Sequence, residues 1–266
     1  QDYNIDINFG SKSFGTDMPL SPPLIVSKQT LFKDSIFVEI FNALGKPDYR
    51  YTLDGSEPDS ISLLYDGPIK IDRSTKLKVK AFKKGWKESE TTTRNYYATA
   101  GNIENYKLTT SPHPTYKNLS KLSDGILGDT DFRSGEWNGF QKNDDTKSTI
   151  PRSSGDMVIE INIPKGLKTN SIGIHALSYM NDYITFPERL ELYDISMNKN
   201  KLIYFKDIVR EEAGQIPKTV IYELPISETN LEKVKLVVKS NKKLPKGHIA
   251  EGQYAWFFVS EIFFML

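Results

Sequence analysis

Between residues 124 and 131 the chain places three aspartates, a threonine and two glycines: Asp124, Gly125, Gly128, Asp129, Thr130 and Asp131. Carboxylate, hydroxyl and carbonyl oxygens presented at varied angles are the hard ligands that Ca²⁺ takes. The spacing does not follow the twelve-residue helix–loop–helix pattern, so a calcium site here would be of another type. A turn-rich loop with no metal suits the same residues equally well. A second acidic pair, Asp54 and Glu57, lies in Tyr51-Thr52-Leu53-Asp54-Gly55-Ser56-Glu57-Pro58. Asp-Gly permits a positive φ at the glycine and Glu-Pro favours an extended exit, so turn formation accounts for both carboxylates without a catalytic role. A third carboxylate, Glu261, interrupts the apolar run Ala255-Trp256-Phe257-Phe258-Val259-Ser260-Glu261-Ile262-Phe263-Phe264. Burying an unpaired charge there is costly, so a cation or a basic partner is expected to meet it unless the strand is an exposed edge.

The remaining chemistry is sparse. His113, His175 and His248 lie far apart in different contexts, and no Gly-x-Ser-x-Gly elbow, phosphate loop or His-Glu-x-x-His run occurs. The Asp-rich loop could seat an acid–base pair for glycoside hydrolysis, but its Asp-Gly spacing suits a cation-binding turn better. The chain reads as an accessory region and not as an enzyme. With no cysteine, disulfides, thiolate zinc sites and cysteine nucleophiles are excluded. Basic and acidic residues balance at 35 and 34, so no net field favours nucleic acid or an anionic membrane. No run reaches the roughly 18 apolar residues of a membrane span. No signal peptide is visible, and the chain starts at Gln1 without Met, as a mature or trimmed product would.

The elements that must carry these residues are strands. Of 266 residues 38% are hydrophobic and 12% aromatic, enough for buried cores and room for two domains. Ile36, Val38 and Ile40 alternate with Phe37, Glu39 and Phe41. Leu77, Val79 and Ala81 form an inward row with lysines opposite. Further on, Met157, Ile159, Ile161 and Ile163 share one face, Leu190 and Leu192 another, and Val234, Leu236 and Val238 a third. The nearly continuous apolar run at the end predicts a strand buried on both faces or central in a sandwich. Residues 1–22, with the alternating segment Tyr3 to Phe9 and the pair Pro22-Pro23, read as a linker or the edge of an upstream domain. A domain follows over 23–100, a connection over 101–114 and a second domain over 115–266.

Tyr51 to Pro58, then Leu64-Tyr65-Asp66-Gly67-Pro68-Ile69, Lys76 to Phe82 and Gly85 resemble the chitobiase/β-hexosaminidase C-terminal module. That resemblance implies a fibronectin-III-like sandwich beside a catalytic domain in an exported bacterial protein. Leu122-Ser123-Asp124-Gly125-Ile126, Trp137-Asn138-Gly139-Phe140, Gly155 to Ile161 and Trp256 to Ile262 resemble the discoidin family, a galactose-binding-like jelly-roll sandwich that includes many carbohydrate-binding modules. The fold expected is therefore all-β, an Ig/fibronectin-III-like sandwich followed by a discoidin-like one, as at the tail of β-hexosaminidase-type proteins. The second resemblance implies a structural Ca²⁺ held by Asp124, Asp129 or its carbonyl, Thr130 and Glu261. The loop from Asp124 to Trp137 is longer than in the simplest members, which leaves Asp124 and Glu261 as the firmer pair. It also implies a carbohydrate site on loops at one end, where aromatic rings stack on sugars and polar groups take the hydroxyls. Tyr179, Asn181 and Tyr183 come first among the candidates, followed by Arg133, Arg152, His175, Trp137 and Arg189. The expected partners are a glycan and an upstream catalytic domain of the same polypeptide, in the periplasm, at the outer membrane or outside the cell. A spacer or protein-interaction module with no sugar site is the alternative.

Overall fold

The chain is described here by a computed structural model covering residues 19–27, 29–41, 47–142, 155–208, 216–226, 231–240 and 243–266. Arg152 and the segment Tyr3 to Phe9 lie outside these residues. The architecture is all-β, with antiparallel pairing throughout its sheets. In chain order the first strands are β1 (Leu24–Val26), β2 (Leu31–Phe32), β3 (Ile36–Phe41), β4 (Asp48–Thr52), β5 (Leu63–Leu64), β6 (Ile69–Ile71), β7 (Thr75–Phe82) and β8 (Thr92–Asn102). They are followed by β9 (Tyr106–Leu108), β10 (Asn138–Gln141), β11 (Met157–Asn162), β12 (Ser171–Ser178), β13 (Arg189–Asp194), β14 (Lys201–Asp207), β15 (Lys218–Pro225), β16 (Lys233–Lys239) and β17 (Trp256–Met265). Contacts divide the chain into two compact units, one of residues up to 28 with 34–97, the other of 29–33 with 98–266.

In the first unit β1, β3 and β6 form one sheet, while β5, β4, β7 and residues 92–96 of β8 form another. The alternation expected from the sequence is realised: Val38 and Ile40 on β3 are buried, as are Leu77, Val79 and Ala81 on β7, while Lys76 points to solvent. The turn after β4 uses its carboxylates locally. Asp54 accepts hydrogen bonds from the Ser56 amide at 3.0 Å and hydroxyl at 2.6 Å, which hold its carboxyl below the usual range. Glu57 pairs with Lys78 and accepts from the Thr91 hydroxyl at 2.9 Å.

In the second unit a five-stranded sheet, β14-β13-β16-β11-β9, faces a sheet of β15, β12 and β17, with β10 also on β17. Met157, Ile159, Ile161, Leu190, Leu192, Val234, Leu236 and Val238 from the first sheet meet Ile172, Ile174, Ala176, Phe257, Val259, Ile262 and Phe264 from the second in one core. Residues 106–108, read from sequence as part of a connection, are a strand paired with β11. Polar residues such as Asn105 hide an edge strand of only three residues, and the Asn105 carbonyl accepts from the Asn162 amide at 3.0 Å.

β17 carries a fault in its register. His175 on β12 faces Glu261, but Ala176 faces Val259, so Ser260 is an extra, bulged residue. Phe257 and Val259 before it, and Ile262 and Phe264 after it, all reach the same core, which an unbroken period of two does not allow. The bulge therefore turns two successive side chains, Ser260 and Glu261, toward the loop over 124–128.

Candidate functional site

Glu261 is fully buried and accepts from the Asp124 amide at 3.2 Å and the Gly125 amide at 3.0 Å. No basic side chain pairs with it among the described residues; two backbone donors take that place. Burial, with the Asp124 carboxylate adding repulsion, pushes its carboxyl up to about 9. Asp124 in turn accepts from the Ile126 amide at 3.1 Å and pairs with Lys121 at 3.0 Å, and Lys121 also pairs with Glu136 at 3.2 Å. Asp129 and Thr130 are exposed, in contrast to Glu261. The Asp129 carbonyl accepts from the Trp137 indole at 3.1 Å, and its carboxylate accepts from the Asp131 amide at 2.8 Å. Within the described residues no group of three or more His, Asp or Glu side chains forms a metal cluster. The part-exposed Asp124 and the buried Glu261 still set two carboxyl groups beside each other.

Two of the sugar-site candidates belong to the interior. Trp137 is 2% exposed, stacks on His175 at 5.1 Å between ring centroids, and packs with Phe132, Leu177, Ile184 and Phe258. His175 is buried, and its Nδ1 lies 2.6 Å from Ser260 Oγ. Because Ser260 Oγ already accepts from the Gly128 amide at 3.1 Å, its hydroxyl proton is free to be donated to a neutral imidazole. Desolvation favours that state and lowers the His175 pKa to about 4. Arg189 sits on β13 with its guanidinium bound to Glu191 and Asp207, each at 2.9 Å.

Of the other candidates, Tyr179 packs with Phe132 beside Arg133, whereas Tyr183 packs with Met180, Leu244 and Ala255 and stands edge-on to His248 at 5.1 Å. A short 3₁₀ turn, Met180–Asp182, projects Asn181 into solvent and is closed by Tyr183. Tyr183 has φ 64°, a left-handed conformation that a bulky residue takes only at a cost of roughly 1–3 kcal/mol. The turn is held by Tyr183 donating to the Met180 carbonyl at 3.0 Å and by the Trp256 amide donating to the Tyr183 carbonyl at 2.8 Å. Asp182 pairs with Arg133 at 3.4 Å, and the Arg133 guanidinium lies 4.0 Å from the centroid of Phe132. Around Phe132 and Phe258 the half-buried rings of Tyr116, Tyr179 and Trp256 form a surface. Tyr116 lies 5.3 Å from Trp256 and 5.8 Å from Phe132, and His113 lies 5.0 Å from Trp256. Tyr116, Trp256 and Asp182 are the members that sequence reading missed. Trp256 was hidden in the apolar run of β17, although as its first residue it is the one best placed to leave the core.

Residues 28–93 match the Chitobiase/beta-hexosaminidase C-terminal domain family. No curated protein matches the chain. Among solved structures a SusE-like protein is 10% identical, with 90% of this chain and 95% of that chain covered and a TM-score of 0.31.

Proposed function

We propose that this is a non-catalytic accessory region of a larger exported bacterial protein, which binds carbohydrate at the loop end of its second unit and positions a catalytic domain of the same polypeptide. The observation that carries the reading is the partly buried ring surface of Tyr116, Tyr179 and Trp256 beside the Arg133–Asp182 pair. Aromatic faces take the apolar C–H side of a pyranose, while a guanidinium and a carboxylate together donate to and accept from hydroxyls. The ion pair is internally neutral, so a neutral glycan suits this surface. The match of the first unit to a domain named for chitobiase and β-hexosaminidase supports the glycan association. Affinity electrophoresis of the full chain in gels of neutral polysaccharides, or a glycan array, tests it. Tyr179→Ala is expected to weaken binding roughly two- to twelvefold, as the loss of about 0.5–1.5 kcal/mol per aromatic contact gives, and Arg133→Ala should weaken it as well. Silence across glycans by a folded chain overturns the reading.

A second reading, a protein-contacting spacer, is favoured by one face of the first unit, where Leu24, Val26, Phe37 and Phe41 all stand exposed on β1 and β3. Retention of partner proteins with no glycan binding would select it.

A structural calcium ion held by Asp124 and Glu261 belongs to the same proposal. The ion would supply the positive charge that a fully buried carboxylate beside another carboxylate otherwise lacks. A thermal melt with and without chelator checks it. Wild type should lose several degrees on chelation and Glu261→Gln should not respond; an unchanged wild-type melt counts against the ion.

A further inference from the structure

One exposed aromatic of the first unit has no part in the loop-end site. Trp86 is 40% exposed, the most open of the three tryptophans. Its placement comes from the backbone. β7 ends at Phe82, and a turn over 83–86 is closed by the Trp86 amide donating to the Lys83 carbonyl at 3.1 Å. Gly85 holds φ +81° within it, which glycine does without strain. The indole borders a groove of about 590 Å³ lined also by Asp48, Phe82, Lys83, Lys84, Lys87 and Glu88. That volume lies in the range of roughly 300–1,000 Å³ typical of small-ligand sites.

The charges around the ring are unequal. Glu88 is paired with Lys80 at 2.6 Å, and the Lys83 ammonium lies 5.5 Å from the indole centroid. Among the described residues, Lys84 and Lys87 join Lys83 on this rim, against Asp48 and the Lys80-paired Glu88. A flat apolar ring rimmed by surplus cations is matched by a sugar whose C–H face stacks and whose ring carries an anion. Lysine suits such a partner, because its ammonium is a point charge on a flexible stem that meets carboxylate or sulfate without a fixed approach.

We propose that this groove is a second glycan-binding site, specific for acidic polysaccharide, with Trp86 as the stacking platform and Lys84 and Lys87 as the anion-binding groups. It stands on the first unit alone and does not depend on the loop-end site.

The test is affinity electrophoresis of the full chain in gels containing polygalacturonate, chondroitin sulfate, neutral dextran or polyglutamate. At least one acidic polysaccharide should retard the protein, and raising the salt should weaken the effect. Retardation by polygalacturonate alone identifies carboxylate as the group bound, and retardation by chondroitin sulfate alone identifies sulfate. Trp86→Ala should reduce retention at least tenfold with an unchanged melt, Trp86→Phe should keep part of it, and Lys84→Ala with Lys87→Ala should weaken it as well. Tyr179→Ala should leave it intact, which separates this site from the one at the loop end. The proposal is overturned if no acidic polysaccharide retards the chain, if Trp86→Ala behaves as wild type, or if polyglutamate is held as tightly as the glycans.

Discussion

Trp137→Ala is expected to be among the most destabilising single substitutions in the second unit, costing about 3–5 kcal/mol, the usual range for truncating a buried aromatic. The indole is 2% exposed and fills the space between Phe132, Leu177, Ile184 and Phe258. It also lies so close over Gly128 that a Cβ there would stand 2.6 Å from Cε2, so the loop backbone is moulded to the ring. Alanine would open a cavity, release the Asp129 carbonyl from its indole donor and remove the plate on which His175 stacks. For a unit of this size such a loss lowers the melting temperature by roughly 6–20 °C. Trp137→Phe, which keeps a ring but not the donor, should cost clearly less. A drop below about 3 °C for alanine would show that the loop does not depend on the indole. Glycan binding at low temperature, where both variants remain folded, should change far less than with Tyr179→Ala, since Trp137 offers almost no surface to a ligand.

The strands were legible wherever one face is dry and the other wet. Leu77, Val79 and Ala81 alternate with lysines, and the structure buries those three and leaves Lys76 exposed. Period-two alternation is the direct consequence of the pleat, so it survives in the sequence without help from tertiary context. The ligand-facing surface was less legible, because its members come from Tyr116, Phe132–Arg133, Tyr179–Tyr183 and Trp256, and only folding brings them together. Residue type did not separate core from surface: Trp137 and Trp256 look alike as residues, yet one plugs a loop and the other begins an edge of the ring surface. The bulge at Ser260 was illegible for a different reason. In a run as apolar as Trp256 to Phe264 the period cannot be counted, so a shift of one residue leaves no mark except the two polar residues themselves. Glu261 was the readable part, since its cost on burial is large, although among the described residues the groups that meet it are amides of the loop and no side-chain cation.

That bulge also places two groups with opposed titrations against one loop, and the pH profile of stability should show both in chelated protein. Glu261 has its folded pKa raised from 4.5 to about 9, so between those values the folded chain holds one proton more than the unfolded chain, and stability falls as pH rises. The displacement corresponds to at most about 6 kcal/mol across the window. His175 has its folded pKa lowered from 6.5 to about 4, so between those values the unfolded chain holds the extra proton, and stability falls as pH drops. Its ceiling is about 3 kcal/mol. Between about pH 4.5 and 6.5 the two slopes oppose each other and the melting temperature should stay nearly level; from about 6.5 toward 9 Glu261 acts alone and it should fall. Glutamine at 261 mimics the protonated acid, since it keeps one acceptor for a loop amide and gains a donor toward Asp124. Glu261→Gln should therefore invert the profile, with a melting temperature that rises from about pH 4.5 to 6.5 and then stays level, exceeding wild type by the largest margin near pH 8–9. The measurement is a series of thermal melts in chelator across that range for both proteins. Parallel curves would mean that Glu261 titrates as an ordinary carboxylate, and a wild-type decline that persists in the glutamine variant would assign the alkaline limb to another group.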